Sequence, residues 1–258
     1  MKFLYYKDDG FVGQRIALGK YEEYETKLIF RQAQDCSVAI DIGANIGYYS
    51  LLLAQRAKKV YAFEPEKNNL KILRKNLGIN KIKNVEVVAA AVGDKNEKAL
   101  LYKSGDNFGD HRLWGKGQTE KVDTVRLDDF IKEKKVDLIK IDTQGWEPAV
   151  IEGAKKIIER DKPIIFLEYW EEGYQKAGLD GRKMMEFLRK IYPVIWQIDD
   201  WYYVYKKTSK NIAVDRKKGY ADLWMKNKVN VGDFLASYKD IQVRKVIKSL
   251  CNNWLCQK

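Results

Sequence analysis

Between Val38 and Pro65 the chain reads VAIDIGANIGYYSLLLAQRAKKVYAFEP, and no other stretch restricts the fold as much. Val38–Ile42 is a short apolar run with Asp41 near its end, as expected of a buried parallel strand. Gly43 and Gly47 flank Ala44-Asn45-Ile46, a tight turn where side chains would obstruct a ligand. Ile46, Tyr49, Leu53 and Ala57 then recur at helical spacing. Val60 to Phe63 is a second apolar run, closed by Glu64. Strand, glycine turn, helix, strand and acid together predict an open α/β sheet. Such a unit sets a helix N-terminus at the turn and a carboxylate at the end of the second strand.

The turn does not have the G-x-G-x-x-G spacing that cradles a pyrophosphate. It has Asp41, Gly43, Asn45 and Gly47, an acid standing before the first glycine. That pattern suits a ligand with a positive group. S-adenosyl-L-methionine (SAM) carries an ammonium, a sulfonium and a ribose. Asp41 and the turn would meet its methionine end, and Glu64 its ribose hydroxyls. The third apolar run, 85–92, ends in a loop expected near the adenine, with Ala91 and Val92 small enough to flank it.

Further along, Val136 to Ile141 is another buried-type strand, followed by Asp142-Thr-Gln-Gly-Trp-Glu147. Asp142 would sit at a strand's C-terminal edge, where open parallel sheets bind ligands. Asp142 and Glu147 can orient a hydroxyl, take its proton or face a sulfonium. Glu147 can equally cap the helix that begins at Pro148 and runs through Ile158. A strand ending in Glu168 adds a third acid to the same edge. The loop 104–117 holds four glycines and the single histidine, His111, read either as a general base or as a solvent-facing loop residue. No spacing of ligand residues calls for a metal, although Asp142 and Glu168 could share one. A helix from Gly19, with Tyr24 and Leu28 on one face, is expected to cover the sheet. The run from Val194 to Val214 is expected to close it with three strands, and Trp196, Trp201, Tyr203 and Tyr205 fall either in the core or along a cleft.

The 258 residues suffice for one large α/β domain. The expected layout is a helical lead-in over 1–33, a SAM-binding domain over 34–218 and a basic helical extension over 219–258. Of the net charge of +12, residues 206–258 carry 13 Lys/Arg and 4 Asp/Glu, a surplus of 13 − 4 = 9. Phosphate or anionic lipid would therefore be attracted by the tail, whose pattern over 233–254 is a basic amphipathic helix. Such helices dock on their own domain or lie on a membrane. Three cysteines without a C-x-x-C pair suggest neither disulfides nor zinc. The first residues lack an apolar signal core, so a cytoplasmic protein is expected.

The two motifs, Val38–Glu64 and LIKIDTQGWE over Leu138–Glu147, in this order and spacing, resemble the FkbM family of SAM-dependent methyltransferases. The likeness runs from about Gly19 to Val214. It implies a doubly wound, mostly parallel sheet of the seven-stranded type with a reversed strand near its end. It also implies methyl transfer to a hydroxyl of a sugar, glycan or small metabolite. Asp41, Gly43, Asn45 and Gly47 match the SAM loop, Glu64 the ribose acid, and Asp142 and Glu147 the second signature. The chain departs from the family pattern with Gln144 in place of a frequent Glu, and with Trp146. Two other readings stand beside this one: an RNA methyltransferase using the basic tail, and a non-catalytic module that binds a membrane or partner through it.

Overall fold

The computed structural model describes residues 1–6, 12–19, 21–105, 107–192, 195–199, 204–207 and 221–225. The chain opens with α1 (Gly13–Ala17) and α2 (Glu23–Gln32). The expected unit follows as β1 (Val38–Ile42), α3 (Tyr48–Leu53) and β2 (Lys59–Phe63). Next come α4 (Lys67–Ile79), β3 (Val85–Val88), β4 (Ala91–Val92), β5 (Glu97–Tyr102), β6 (Thr119–Val125) and α5 (Leu127–Phe130). The second motif spans β7 (Leu138–Ile141) and α6 (Glu147–Gly153). After it stand α7 (Lys155–Asp161), β8 (Ile164–Tyr169), α8 (Glu171–Lys176), α9 (Gly181–Ile191), β9 (Ile195–Asp199), β10 (Val204–Lys207) and β11 (Ala221–Met225).

Among the described residues the main sheet has eight strands in the order β10-β9-β11-β8-β7-β1-β2-β3, and β4, β6 and β5 form a smaller one. The stretch β8-β7-β1-β2-β3 is parallel throughout, and β11 runs antiparallel to both β8 and β9. The architecture is the α/β, Rossmann-like one that the sequence predicts, with one strand more than the seven-stranded type. Successive side chains on a strand point to opposite faces. One face of β1, β7 and β8 therefore gives Val38, Ile40, Ile42, Ile139, Ile141, Ile165 and Leu167 to a core with α6, α7 and α9. The other face gives Ala39, Leu138 and Phe166 to a core under α2 and α3. Each of these Val, Leu, Ile and Phe side chains, once buried, contributes about 1.5–3 kcal/mol.

Several boundaries differ from expectation. The run 85–92 is two strands, because the chain steps off β2 after Val88 and pairs Ala91 with Thr124 in the small sheet. The helix expected from Pro148 to Ile158 breaks at Ala154, where Gly153 crosses Gly93 so closely that a Cβ would lie 2.0 Å from the Gly93 carbonyl oxygen. The domain boundary at 218 falls short of β11, which sits inside the main sheet between β8 and β9. Trp196 packs against the core under α2 and α3. The expectations for Trp201, Tyr203, the side chain of Tyr205, the strand 212–214 and the basic helix over 233–254 lie outside the described residues.

Candidate active site

A cavity of about 340 Å³ opens at the C-terminal ends of β1, β2, β7 and β8. The glycine turn forms its floor. Gly43 has φ +77°, and a Cβ there would lie 1.8 Å from the carbonyl oxygen of Asp142, so only glycine lets the ends of β1 and β7 approach this closely. Glycine Gly47, at φ 93°, starts α3 but does not line the cavity. Asn45 does line it, in the left-handed region at φ 50°. Glu22 (φ 39°) and Gln144 (φ 54°) line it too, so three non-glycine residues hold this costly conformation around one cavity.

Glu64 is buried at the end of β2. Its two oxygens accept the backbone N–H groups of Asn45 and Glu66, each at 2.8 Å. Burial pushes its carboxyl up to about 7, against the pull of those two N–H groups. A carboxylate has about four lone-pair sites, so Glu64 keeps acceptor capacity on the cavity side. Phe63, Ala91 and Val92 form an apolar strip beside it. An acceptor for ribose hydroxyls, a strip for a flat base and acids for a sulfonium all border one cavity, so the residues present fit SAM.

Asp142 borders the other end of the cavity. Its Oδ2 accepts from Lys140 Nζ at 2.9 Å and its Oδ1 from Gln144 Nε2 at 2.7 Å. Glu168 stands beside it on β8, receiving Gln144 Nε2 at 3.3 Å. Burial, then Asp142 and Asp222, drive the Glu168 carboxyl well up. The carboxylate of Glu22 accepts the Tyr49 hydroxyl at 2.6 Å, and burial raises its pKa. Neither Glu22 nor Lys140 stands out in the sequence. The lead-in that was expected only to cover the sheet supplies Val12, Arg15, Tyr21 and Glu22 to the cavity wall.

Besides Gly47, three expected site residues sit differently from their anticipated roles. Asp41 is 0% exposed and lies behind the lining, accepting Ser50 Oγ at 2.6 Å, with its Oδ1 buried and unpartnered. Glu147 is also fully buried and does not reach the cavity. It accepts Thr143 N at 2.8 Å, Thr143 Oγ1 at 2.9 Å and Gly145 N at 3.1 Å, so it ties up the loop before its helix and makes no cap of the helix N-terminus itself. His111 lines the cavity, but its Nδ1 accepts the Ser104 N–H at 3.2 Å. The neutral ring, which burial favours by lowering its pKa, then carries its proton on Nε2 and presents a donor, not a base. Above the cavity the loop is pinned by Trp114 Nε1, which donates to Gln144 O at 3.0 Å, and by Arg112, which lies over Trp114 and Trp170. Among the described residues no cluster of three or more His, Cys, Asp or Glu could hold a metal. No helix of the described residues is long and apolar enough to cross a membrane.

A parallel sheet with a glycine turn after β1, an acid ending β2 and an acid after β7 defines a SAM-dependent methyltransferase domain. Residues 41–192 match the methyltransferase FkbM domain, and the chain belongs to that family. It is similar to Methyltransferase 1 of Beauveria bassiana, 24% identical over 146 residues, which is 46% of this chain and 59% of the relative. A shorter stretch of 73 residues is 34% identical to the tRNA (guanine(37)-N(1))-methyltransferase Trm5b of Pyrococcus abyssi, covering 28% of this chain and 21% of that one. Among solved structures, the methyltransferase FkbM of Methylobacillus flagellatus aligns with 74% of this chain and 44% of its own, at 19% identity and a TM-score of 0.48. The chain thus spans less than two thirds of the length of each of these relatives.

Proposed function

We propose that this chain transfers the methyl group of SAM to a hydroxyl of a sugar, glycan or small metabolite, with Asp142 as the residue that receives the hydroxyl proton. The observation that carries this is Asp142 itself: a carboxylate on the cavity wall, both oxygens held by donors, beside the glycine turn. SAM, when bound, supplies a methyl on a positive sulfur that leaves as a neutral thioether when the acceptor oxygen takes the methyl. Glu64 and Asn45 would hold the ribose end, and Ala91 and Val92 the base. Asp41 and Gly47 would act from behind, shaping the turn. Glu147 would keep the loop after β7 in place. Asp142 would hold the acceptor hydroxyl in line and take its proton, a contribution of about 10²–10⁴-fold.

The charge of the wall favours a neutral acceptor. Glu22, Glu64, Asp142 and Glu168 face the cavity together with Lys140 and Arg15, which does not suit a phosphate. The test is transfer of labelled methyl from SAM to a panel of monosaccharides, glycans and RNA. Label should enter a hydroxyl of a saccharide or small metabolite, and Asp142→Asn should lower kcat about 100-fold or more. Transfer only to RNA, or an Asp142→Asn enzyme as fast as the parent, would refute the reading.

A further inference from the structure

We propose that Lys140 is a positioning residue: its buried ammonium gathers the acids of this face around itself and aims Asp142 into the cavity, acting through those acids and not on the acceptor. The inference rests on the role of Asp142 proposed above. It goes further by assigning a function to a lysine in the middle of an otherwise apolar strand.

The register explains how the lysine comes to be there. Lys140 on β7 is the direct neighbour of Asp41 on β1. Both point to the face under α2 and α3, because Ile139 and Ile141 take the other one. Asp142, two residues on, points to the same face as Lys140. The ammonium thus stands between an acid beside it and an acid above it. Only 3% of Lys140 is exposed, and its Nζ lies 2.9 Å from Asp142 Oδ2 and 4.7 Å from the centre of the Tyr49 ring. An ammonium taken this far out of water is retained only with opposite charge around it.

That charge comes from every element packed on this face. Asp41 comes from β1, Glu22 and Glu25 from α2 and the residue before it, and Asp142 from the loop after β7; Glu168 on β8 and Asp222 on β11 extend the same row. Tyr49 and Ser50 on α3 complete the enclosure, the first over the ammonium and the second on Asp41. Burial pulls the Lys140 ammonium toward neutrality, and Asp142, Asp41 and Glu22 more than reverse it. In return the lysine pulls down Asp41, Glu22 and Glu25, which burial raises. Geometry and charge agree: one cation serves several acids, and among the described residues its hydrogen bond runs to Asp142, on the cavity wall beside the turn. Gln144 holds the other oxygen of Asp142, so loss of Lys140 would leave that carboxylate tethered on one side only.

The experiment needs no acceptor. SAM binding to the full chain is followed by calorimetry from pH 5.5 to 8.5, in buffers of different ionisation enthalpy that report protons released. Without the ammonium the acids take up a proton before SAM arrives and must give it back when the sulfonium binds. Lys140→Met should therefore release about half a proton to one proton more than the parent at pH 7. The acid limb of its SAM affinity should move up by about one to three pH units, a loss of about tenfold or more at pH 6 that closes toward pH 8.5. Lys140→Arg, which keeps the charge, should return the parent's profile. If Lys140→Met does not fold, Asp41→Asn/Lys140→Met removes the pair together, and the same upward move is expected because Glu22 and Glu25 still lack their cation. A folded neutral variant with the parent's proton release and pH profile overturns the proposal, since a lysine that only filled space would change stability alone. A parent that bound no SAM would bring down the reading of the cavity as a whole.

Discussion

At the scale of single residues, two carboxylates withdrawn from water, Glu64 on the cavity wall and Glu147 behind it, shape the response to pH. Glu64 and Glu147 both have their carboxyls pushed up to about 7 by burial, from 4.5. The folded chain therefore binds protons that the unfolded chain has released between about pH 4.5 and 7. Stability must fall as the pH rises through that window, each group costing at most about 3 kcal/mol. Thermal unfolding of the parent should show this fall, and Glu64→Gln should remove part of it. Ligand binding runs the opposite way, because SAM brings a positive charge and ribose donors to an ionised Glu64. SAM affinity should rise from pH 6 to 8, and Glu64→Gln should flatten the rise and weaken binding about tenfold. Parent and variant sharing one slope would separate Glu64 from the ligand. Glu64 was legible in the sequence because an acid that ends an apolar run after a glycine turn has few structural uses. Lys140 and Glu22 were not, because a charge gives no sign in sequence of whether its partners are water or acids on strands far away in the chain.

At the scale of elements the site depends on how closely strand ends can approach. Gly43 lets β1 and β7 meet at the floor of the cavity, where a Cβ would overlap the Asp142 carbonyl. Gly43→Ala must push the two strand ends apart and also strain a backbone at φ +77°. A loss of about 2–5 kcal/mol in unfolding free energy is expected, with SAM binding lost by calorimetry even where the variant stays folded. Gly78→Ala is the control, since a Cβ there meets nothing within 4 Å. A Gly43→Ala chain that matched that control would mean the close approach is not needed. Element types followed from periodicity over most of the chain, but partners did not. Apolar alternation cannot say that β3 pairs in one sheet and β4, two residues later, in another. Nor does it reveal that Ala221–Met225 inserts between β8 and β9, since sheet order is set by packing after the chain has turned back.

Across the whole molecule, the segment before the motifs is tied into the turn they form. Asn76 on α4 is the joint. Its Oδ1 accepts Leu4 N at 2.6 Å, and its Nδ2 donates to Leu4 O at 3.0 Å and to Ile46 O at 2.8 Å. One buried amide thus links the first residues of the chain, α4 and the glycine turn. Tyr6 continues the link by stacking on Phe108, whose carbonyl accepts from Asn45 Nδ2 at 3.3 Å and Asn69 Nδ2 at 3.1 Å. The start of the chain, the turn and the loop that holds His111 therefore form one connected wall. Asn76→Ala leaves two backbone groups of Leu4 and one of Ile46 without their partner, which costs about 2–4 kcal/mol. If the wall is mechanically one piece, that variant should expose residues 1–6 and 12–19 to protease and weaken SAM binding together, although Asn76 touches neither the cavity nor the ligand. Limited proteolysis with and without SAM reads both effects, because SAM held by a coupled wall should slow the early cuts in the parent. Early cleavage with unchanged SAM affinity would show that the lead-in and the turn move independently, and that the cavity needs only the strands from Val38 onward.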